Sequence, residues 1–415
     1  MLRDSGFSLL AALAVAIVYG STSHSPWLAM VAVLAVSSAA VMHVRLAMGR
    51  LRAVLQTVAC VAALLLVGAW PRLLVGVVVT GLLGSELVAR CTRRSSLVRV
   101  GMWTGIISGI CIASGLMVVA PQTLPQTVRE VLAAAIGGFL GAPLTLAFAP
   151  VAEWLFGHTT RWTMGEWLSY EHPLLRELAS TAPGTFQHSV NVGVLADSAA
   201  SAIGADAFLA RVGGLYHDVG KICAPDYFTE NQHWANPHDD LKPWDSARIL
   251  RSHVSDGVDL VGRHRMGPRI ADFVREHHGT GIMHFFRNKA AALGTTGMSQ
   301  ESYCYLGPRP RSRETAIVML ADQVEATARS APPADDAVCA DIVRRTLERI
   351  RGEGQLEDSS LNAREIVQLQ RVLSRALQAM YHRRLGYDSA TARSPQPPRT
   401  GVIARVLGPR RTGTS

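Results

Sequence analysis

Cysteine is scarce and unpatterned. The six residues Cys60, Cys91, Cys111, Cys223, Cys304 and Cys339 contain no Cys-x-x-Cys pair and no regular spacing. This argues against a disulfide framework and against a zinc-thiolate site, and it suits reduced thiols facing a cytoplasm. Sustained apolar–polar alternation is also missing, which argues against strands and places the chain in the all-α class. Acidic residues and histidine are nearly absent before Pro150, although the 415-residue chain carries 32 Asp and Glu and 14 His. The formal charge of +9 is therefore no evidence for a nucleic-acid partner, because much of the early Arg borders apolar segments where topology explains it. No DNA or RNA is expected to bind.

What fills the first part instead is Leu, Val, Ala, Gly and Ile. A hydrophobic fraction of 48% is high for a chain with this many charges, and the average conceals segregation. Six apolar stretches are readable, at about 6–22, 27–44, 53–70, 71–89, 98–120 and 128–150, several reaching the ~20 residues of a spanning helix only with their flanks. Trp70-Pro71-Arg72 reads as a tight turn between the third and fourth. The first stretch has the look of a signal peptide, but five more follow, and Gly20-Ser21-Thr22 is a poor cleavage site. Arg45, Arg50 and Arg52 fill one connection, and Arg90, Arg93, Arg94 and Arg99 another, while the 22–26 connection has no Lys or Arg. Rich and poor loops thus alternate as expected for six spans in a bacterial-type cell membrane, with both termini cytoplasmic. Glu86, close to Arg90, reads as a helix-end residue rather than a transport site. Gly137, Gly138 and Gly141 read as points of close helix packing.

After Trp154 the pattern becomes amphipathic helices broken by Gly and Pro. Residues 157–186 form a connector whose His172-Pro173 begins a short helix. Helices follow over 187–203 and 207–218, the second capped by Asp206, and then a polar loop over 223–244. Asp245 is expected to cap the next helix, Pro268 to open another, and 312–330 to form a strong one. Residues 389–415 read as a basic, solvated tail.

His188, His217, Asp218, His253, His277 and His278 stand out because each lies in or at the end of a helix of the polar half. Buried imidazoles need partners, so adjacent His-Asp and His-His pairs there are unusual in an ordinary core. Imidazole mixed with carboxylate suits iron, manganese or zinc better than calcium or magnesium. Asp322 lies among apolar neighbours on its helix, where burial would be costly without a partner or a metal. Equally, it could face water beside Glu325, three residues on; periodicity alone does not choose.

The run His217-Asp218-Val219-Gly220-Lys221 matches the signature of HD-domain phosphohydrolases. With apolar spans before it, the chain resembles the membrane-bound HD phosphodiesterases of the PgpH type, which hydrolyse cyclic di-AMP. Further matching pieces are Ala182-Pro183-Gly184-Thr185, Glu230-Asn231-Gln232, Asn236-Pro237-His238-Asp239, His277-His278-Gly279-Thr280 and the run ending at Asp322. The resemblance implies two divalent transition metals, manganese or iron. One would be held by His188, His217, Asp218 and Asp322, the other by Asp218, His253, His277 and His278. Asp218 would bridge them, and a hydroxide activated between the two would attack phosphorus. It also implies that Lys221 lies near the phosphate, and it makes Asn231, Asn236 and His238 candidates for substrate contact, unless they only stabilise their loop. Relatives usually carry a large extracytoplasmic domain, for which 1–150 leaves no room, and Gln187 stands where they often have a second His.

The expected organisation is a transmembrane domain at 1–156, a connector at 157–186, an HD domain at 187–388 and a tail at 389–415. The expected activity is cyclic di-AMP hydrolysis to the linear dinucleotide. Two alternatives are an HD hydrolase of another nucleotide, such as cyclic di-GMP, and a non-catalytic nucleotide-binding membrane receptor. The expected partners are the cyclic dinucleotide, the lipid bilayer and a second copy in a homo-oligomer. The relatives that take cyclic di-GMP carry Gly-Tyr-Pro after the second His pair, where this chain has Gly279-Thr280-Gly281.

Overall fold

The computed structural model describes residues 2–391, apart from 49, 70, 89–90, 92–93, 120–122, 157–158, 233–235 and 295–299. The expected tail beyond Thr391 lies outside the described residues, as do Trp70 of the expected turn and Arg90 and Arg93 of the second basic connection.

Each apolar stretch is a helix: α1 (Leu2–Thr22), α2 (Pro26–Met48), α3 (Arg50–Leu66), α4 (Pro71–Val88), α5 (Arg94–Val119) and α6 (Leu124–Phe156). Pro26 and Pro71 open their helices at the position where a missing N–H costs nothing. Two segments are long and apolar enough to cross a membrane, Trp27–Arg45 and Leu124–Glu153. Among the described residues the others hold shorter apolar runs, Phe7–Thr22, Leu51–Leu66, Leu73–Val88 and Ser96–Ile112. At ~1.5 Å per residue such runs reach about 24–26 Å, short of a hydrocarbon core of about 30 Å unless flanking residues contribute. The expected close packing does occur along α6. A Cβ on Gly137 would lie 2.8 Å from the Val31 carbonyl, and one on Gly138 would lie 2.6 Å from Cα of Gly105. Only hydrogen fits at either place, so α6 packs directly on α2 and α5.

The polar half continues with α7 (Arg161–Trp167), α8 (Pro173–Thr181), α9 (Pro183–Ala202), α10 (Ala207–Tyr216), α11 (Pro243–Arg263), α12 (Pro268–Glu276), α13 (His284–Ala292), α14 (Arg313–Ser330), α15 (Asp336–Gly352) and α16 (Ala363–Thr391). The nearly all-helical reading holds; among the described residues the one β-bridge joins Ile282 and Cys304. Asp206 caps α10 as expected, its carboxylate accepting from Leu209 N at 3.1 Å. Asp245 does not cap α11. Lys242 holds the cap position and Pro243 opens the helix, leaving Asp245 in the first turn, where its charge still favours the helix dipole. Ser312 caps α14 through a reciprocal pair with Thr315.

α9, α10, α12 and α14 share one apolar core, with Val192, Leu195, Val212, Phe273, Val318 and Leu320 buried in it. Short α7 contributes to two cores. Its Trp162 belongs to the buried cluster of Met42, Val88 and Leu97, whereas Met164 and Trp167 join the core of the polar half. The Trp167 carbonyl accepts a hydrogen bond from the Tyr216 hydroxyl at 2.8 Å, which anchors the end of α10 one residue before His217.

Candidate metal centre

The core described above carries seven polar side chains at one place. His188 comes from the middle of α9, His217 caps the end of α10, and Asp218 follows it. His253 projects from α11, His277 caps the end of α12 with His278 next, and Asp322 projects from α14. Six of the seven are buried and His278 is half-buried. They fall into two groups that share Asp218: His188, His217, Asp218 and Asp322, and Asp218, His253, His277 and His278. Within each group the donor atoms all lie within 4.8 Å of one another.

In the first group, His188 Nε2 is 3.0 Å from Asp322 Oδ1 and 3.5 Å from Asp218 Oδ2. His217 Nε2 is 3.1 Å from Asp218 Oδ2 and 3.7 Å from Asp322 Oδ1. In the second, His253 Nε2 and His277 Nε2 are 3.3 Å apart, and each is 3.4 Å from Asp218 Oδ1. The two oxygens of Asp218 therefore face different groups. His278 is set further out, its Nδ1 3.9 Å from Asp322 Oδ2 and its ring stacked on Tyr305 at 4.0 Å.

The ring tautomers sharpen this picture. His253 Nδ1 lies against the Leu250 carbonyl and His277 Nδ1 against the Val274 carbonyl at 2.9 Å. A carbonyl can only accept, so Nδ1 carries the proton in each neutral ring and Nε2 presents a lone pair. Two imidazole lone pairs and a carboxylate oxygen thus converge with no donor among them. Asp218 Oδ1 and His217 Nε2 are both buried without a hydrogen-bond partner. Such an arrangement is costly unless a cation sits between the acceptors. Donor separations near 3 Å are what ligands at about 2.0–2.2 Å from a common ion adopt when roughly at right angles. The set of imidazole nitrogens and carboxylate oxygens suits divalent transition metals.

Charge divides the groups. Burial alone would lower the His217 imidazolium, but the carboxylates of Asp218 and Asp322 outweigh it and lift it to about 10. His188 is raised for the same reason by Asp322 and Glu325, against its burial. His253 is instead pushed down to about 3, by burial with His277 adding to it and Asp218 only partly offsetting. His278 falls well below the ordinary histidine value through burial and its two histidine neighbours. Asp218 and Asp322 both resist burial and stay far below the usual carboxylate range, held by the surrounding imidazoles and, at Asp218, by Lys221.

Lys221 is buried, with Nζ 2.8 Å from Asp218 Oδ2 and 2.7 Å from Glu230 Oε1, and it lies 4.8 Å over the Phe228 ring. Two of its three N–H donors are therefore spent on carboxylates. Its ammonium brings Glu230 down to about 2, against burial. The three loop candidates are engaged locally. Asn231 accepts from Thr185 N at 3.1 Å and donates to Thr185 Oγ1 at 2.9 Å, tying the loop to the start of α9. Asn236 Oδ1 accepts from Gln232 and from the His238 backbone N–H. His238 Nε2 contacts the Tyr227 carbonyl at 2.9 Å. These contacts brace the described parts of the loop from within.

Sequence reasoning passed over Tyr305 and the partner role of Glu230. It named Glu325 only as a possible surface neighbour of Asp322. The structure buries Asp322 and Glu325 alike, and Glu325 contacts His188 Nδ1. The signal was present: residues three apart on a helix share a face, so an inward Asp322 implied an inward Glu325. Gln187 is exposed, bonded to Asn191, and takes no part in the cluster.

Residues 185–327 match the HD domain family model, and residues 1–160 match the family described as "7TM receptor with intracellular HD hydrolase". The cyclic-di-AMP phosphodiesterase PgpH of Bacillus subtilis is 32% identical over 318 residues, covering 75% of this chain and 44% of that protein. PgpH of Listeria monocytogenes is 34% identical over 299 residues, covering 71% and 41%. The chain thus spans less than half the length of these curated relatives. A crystal structure of the L. monocytogenes PgpH HD domain in complex with cyclic-di-AMP is 37% identical, covering 51% of this chain and 98% of that one, with a TM-score of 0.49. With a 7TM-type module at 1–160 and an HD domain at 185–327, the chain belongs to the membrane-bound HD-domain family of the PgpH type.

Proposed function

We propose that this protein is a membrane-anchored, metal-dependent phosphodiesterase that opens cyclic di-AMP to the linear dinucleotide. The observation that carries the chemistry is the convergence of Asp218 Oδ1, His253 Nε2 and His277 Nε2 with no donor between them. The substrate rests on the PgpH relatives, which are named for cyclic di-AMP.

In this reading His188, His217, Asp218 and Asp322 hold one ion, and Asp218, His253, His277 and His278 hold the other, manganese or iron. Such a pair, when bound, supplies Lewis acidity on the phosphoryl oxygens and a water made nucleophilic at neutral pH. The residues do the rest. Asp218 presents one oxygen to each group and so fixes their spacing. The backbone carbonyls of Leu250 and Val274 keep His253 and His277 with Nε2 unprotonated and facing inward. Lys221 pins Asp218 against Glu230, and its third N–H is available to the negative charge that builds on the phosphoryl group. In the net reaction the oxygen of water bonds to phosphorus, one ester oxygen leaves, and a proton passes to that leaving oxygen.

The same reading extends to the organisation. Residues 1–156 form a transmembrane domain of six spans, 157–186 a connector, and 187–388 the HD domain, with both termini cytoplasmic. The helical arrangement of 1–156, the match to the 7TM family and the alternation of basic connections support it.

The deciding experiment uses the full chain in detergent or nanodiscs, stripped of metal and reloaded with Mn²⁺ or Fe²⁺, against cyclic di-AMP and cyclic di-GMP. Metal-dependent opening of cyclic di-AMP is expected. Turnover of cyclic di-GMP alone would overturn the substrate, and binding by a fully loaded sample without turnover would indicate a receptor.

A further inference from the structure

We propose that Glu325 is the positioning residue of the first metal-binding group, holding His188 in the tautomer and orientation that aim its Nε2 at the ion. The proposal rests on the metal reading given above.

The imidazoles of the two groups are oriented in different ways. His217, His253 and His277 each turn Nδ1 to a backbone carbonyl three residues earlier, those of Gly214, Leu250 and Val274. His188 has no such carbonyl contact. Its Nδ1 lies 2.5 Å from Glu325 Oε2, a side chain 137 residues away in sequence. On the other side of the ring, Nε2 is 3.0 Å from Asp322 Oδ1. Two carboxylates, one turn apart on α14, therefore hold the two nitrogens of one imidazole.

Glu325 is itself fixed. It is 3% exposed, its Oε1 accepts from Asn191 Nδ2 at 3.0 Å, and its Oε2 accepts from Arg329 Nη2 at 2.7 Å. Asn191 lies one turn after His188 on α9 and Arg329 one turn after Glu325 on α14, so the carboxylate is braced from both helices. A carboxylate can only accept, so Nδ1 carries the ring proton and Nε2 is left with its lone pair. A carboxylate behind a ligating imidazole also makes that ligand more basic than a carbonyl does. Beside His217, His253 and His277, whose Nδ1 atoms face carbonyls of their own helices, His188 is thus the imidazole whose Nδ1 is held by a side chain from another helix.

The test is a Mn²⁺ titration of the full-length protein in detergent, read by calorimetry and by metal content after desalting, with thermal unfolding of the metal-free protein alongside. The wild type is expected to take up two ions. In Glu325→Ala, one ion is expected to bind as in the wild type and the other about 10–100-fold more weakly, the usual effect of removing such a partner. Glu325→Gln keeps the shape and an accepting oxygen, and is expected to recover part of that loss. Two unchanged affinities in Glu325→Gln and Glu325→Ala would overturn the proposal, as would equal weakening of both ions together with a fall in metal-free Tm. A wild type that binds no Mn²⁺ would overturn the metal reading itself, so the two failures are distinguishable.

Discussion

The two halves of the candidate metal centre are built from similar residues yet hold different charge. The first brings His188 and His217 between Asp218 and Asp322, with Glu325 behind. The second brings His253 and His277 against one oxygen of Asp218, with His278 set further out. Carboxylates raise the first pair of imidazoles, whereas burial and mutual repulsion lower His253 and His278. Without metal, His217 therefore keeps its proton at neutral pH, whereas His253 offers a bare lone pair. The difference teaches that ligand identity does not fix readiness: the ratio of carboxylate to imidazole decides which half must release protons first.

The strongest way to break the comparison is to remove the group common to both halves. Asp218→Ala is expected to abolish turnover and cooperative uptake of two ions; metal content and a phosphodiesterase assay check it, and an active variant refutes the assignment. The next cut separates the halves. Asp322→Ala is expected to leave one ion in the second group, and His253→Ala one ion in the first, each with activity near background, as metal content against cyclic di-AMP turnover will show.

A structural cut comes third. Gly220, two residues past Asp218, packs so closely on α11 that a Cβ would lie 1.8 Å from the His253 carbonyl and 2.5 Å from Gly257 N. Gly220→Ala is expected to push α11 away and destabilise the HD domain by about 3 kcal/mol, measured by thermal unfolding. It should also weaken the second group more than the first, since His253 rides on α11.

The smallest effects are in pH. Mn²⁺ binding to the first group is expected to strengthen by about tenfold per pH unit for each proton displaced, up to about pH 10, where His217 is already deprotonated. His253 in the second group should add no proton release across neutral pH, because it is neutral above about 3. Calorimetry in buffers of different ionisation enthalpy measures the protons released; equal release from both groups would remove the distinction. In the metal-free protein the Glu230 carboxyl, lowered to about 2, contributes stability that is complete above about pH 4.5. That stability is lost as pH falls toward 2, which acid unfolding of Glu230→Gln against the wild type would show.

Much of this protein was legible in its residues. Segregated composition located the helical apolar half, because burying or embedding a helix requires a continuous apolar surface whatever its neighbours are. Caps and prolines located most helices of the polar half, as at Asp206 and Pro268, because those signals act within a single turn. The seven candidate ligands could be named because the residue types that bind transition metals are few, and their motif order resembles that of one family. Lys242 in place of Asp245 at the start of α11 went unread, although Pro243 suits the first helical position and so starts the helix two residues before Asp245.

Other matters needed the tertiary structure. Periodicity could not choose whether Asp322 faces water or the core; burial against His188 from α9 decides it, across 134 residues of sequence. That Asp218 gives one oxygen to each half, that Lys221 is clamped between two carboxylates, and that Asn231 serves the start of α9 are likewise facts of packing between distant segments. The sequence by itself determined which residues are candidate metal ligands and which helices carry them, because ligand type and local helix signals are properties of single residues and their near neighbours. Only the folded bundle decided how charge is shared between the two halves of the centre, because electrostatic coupling depends on distances that no local pattern encodes.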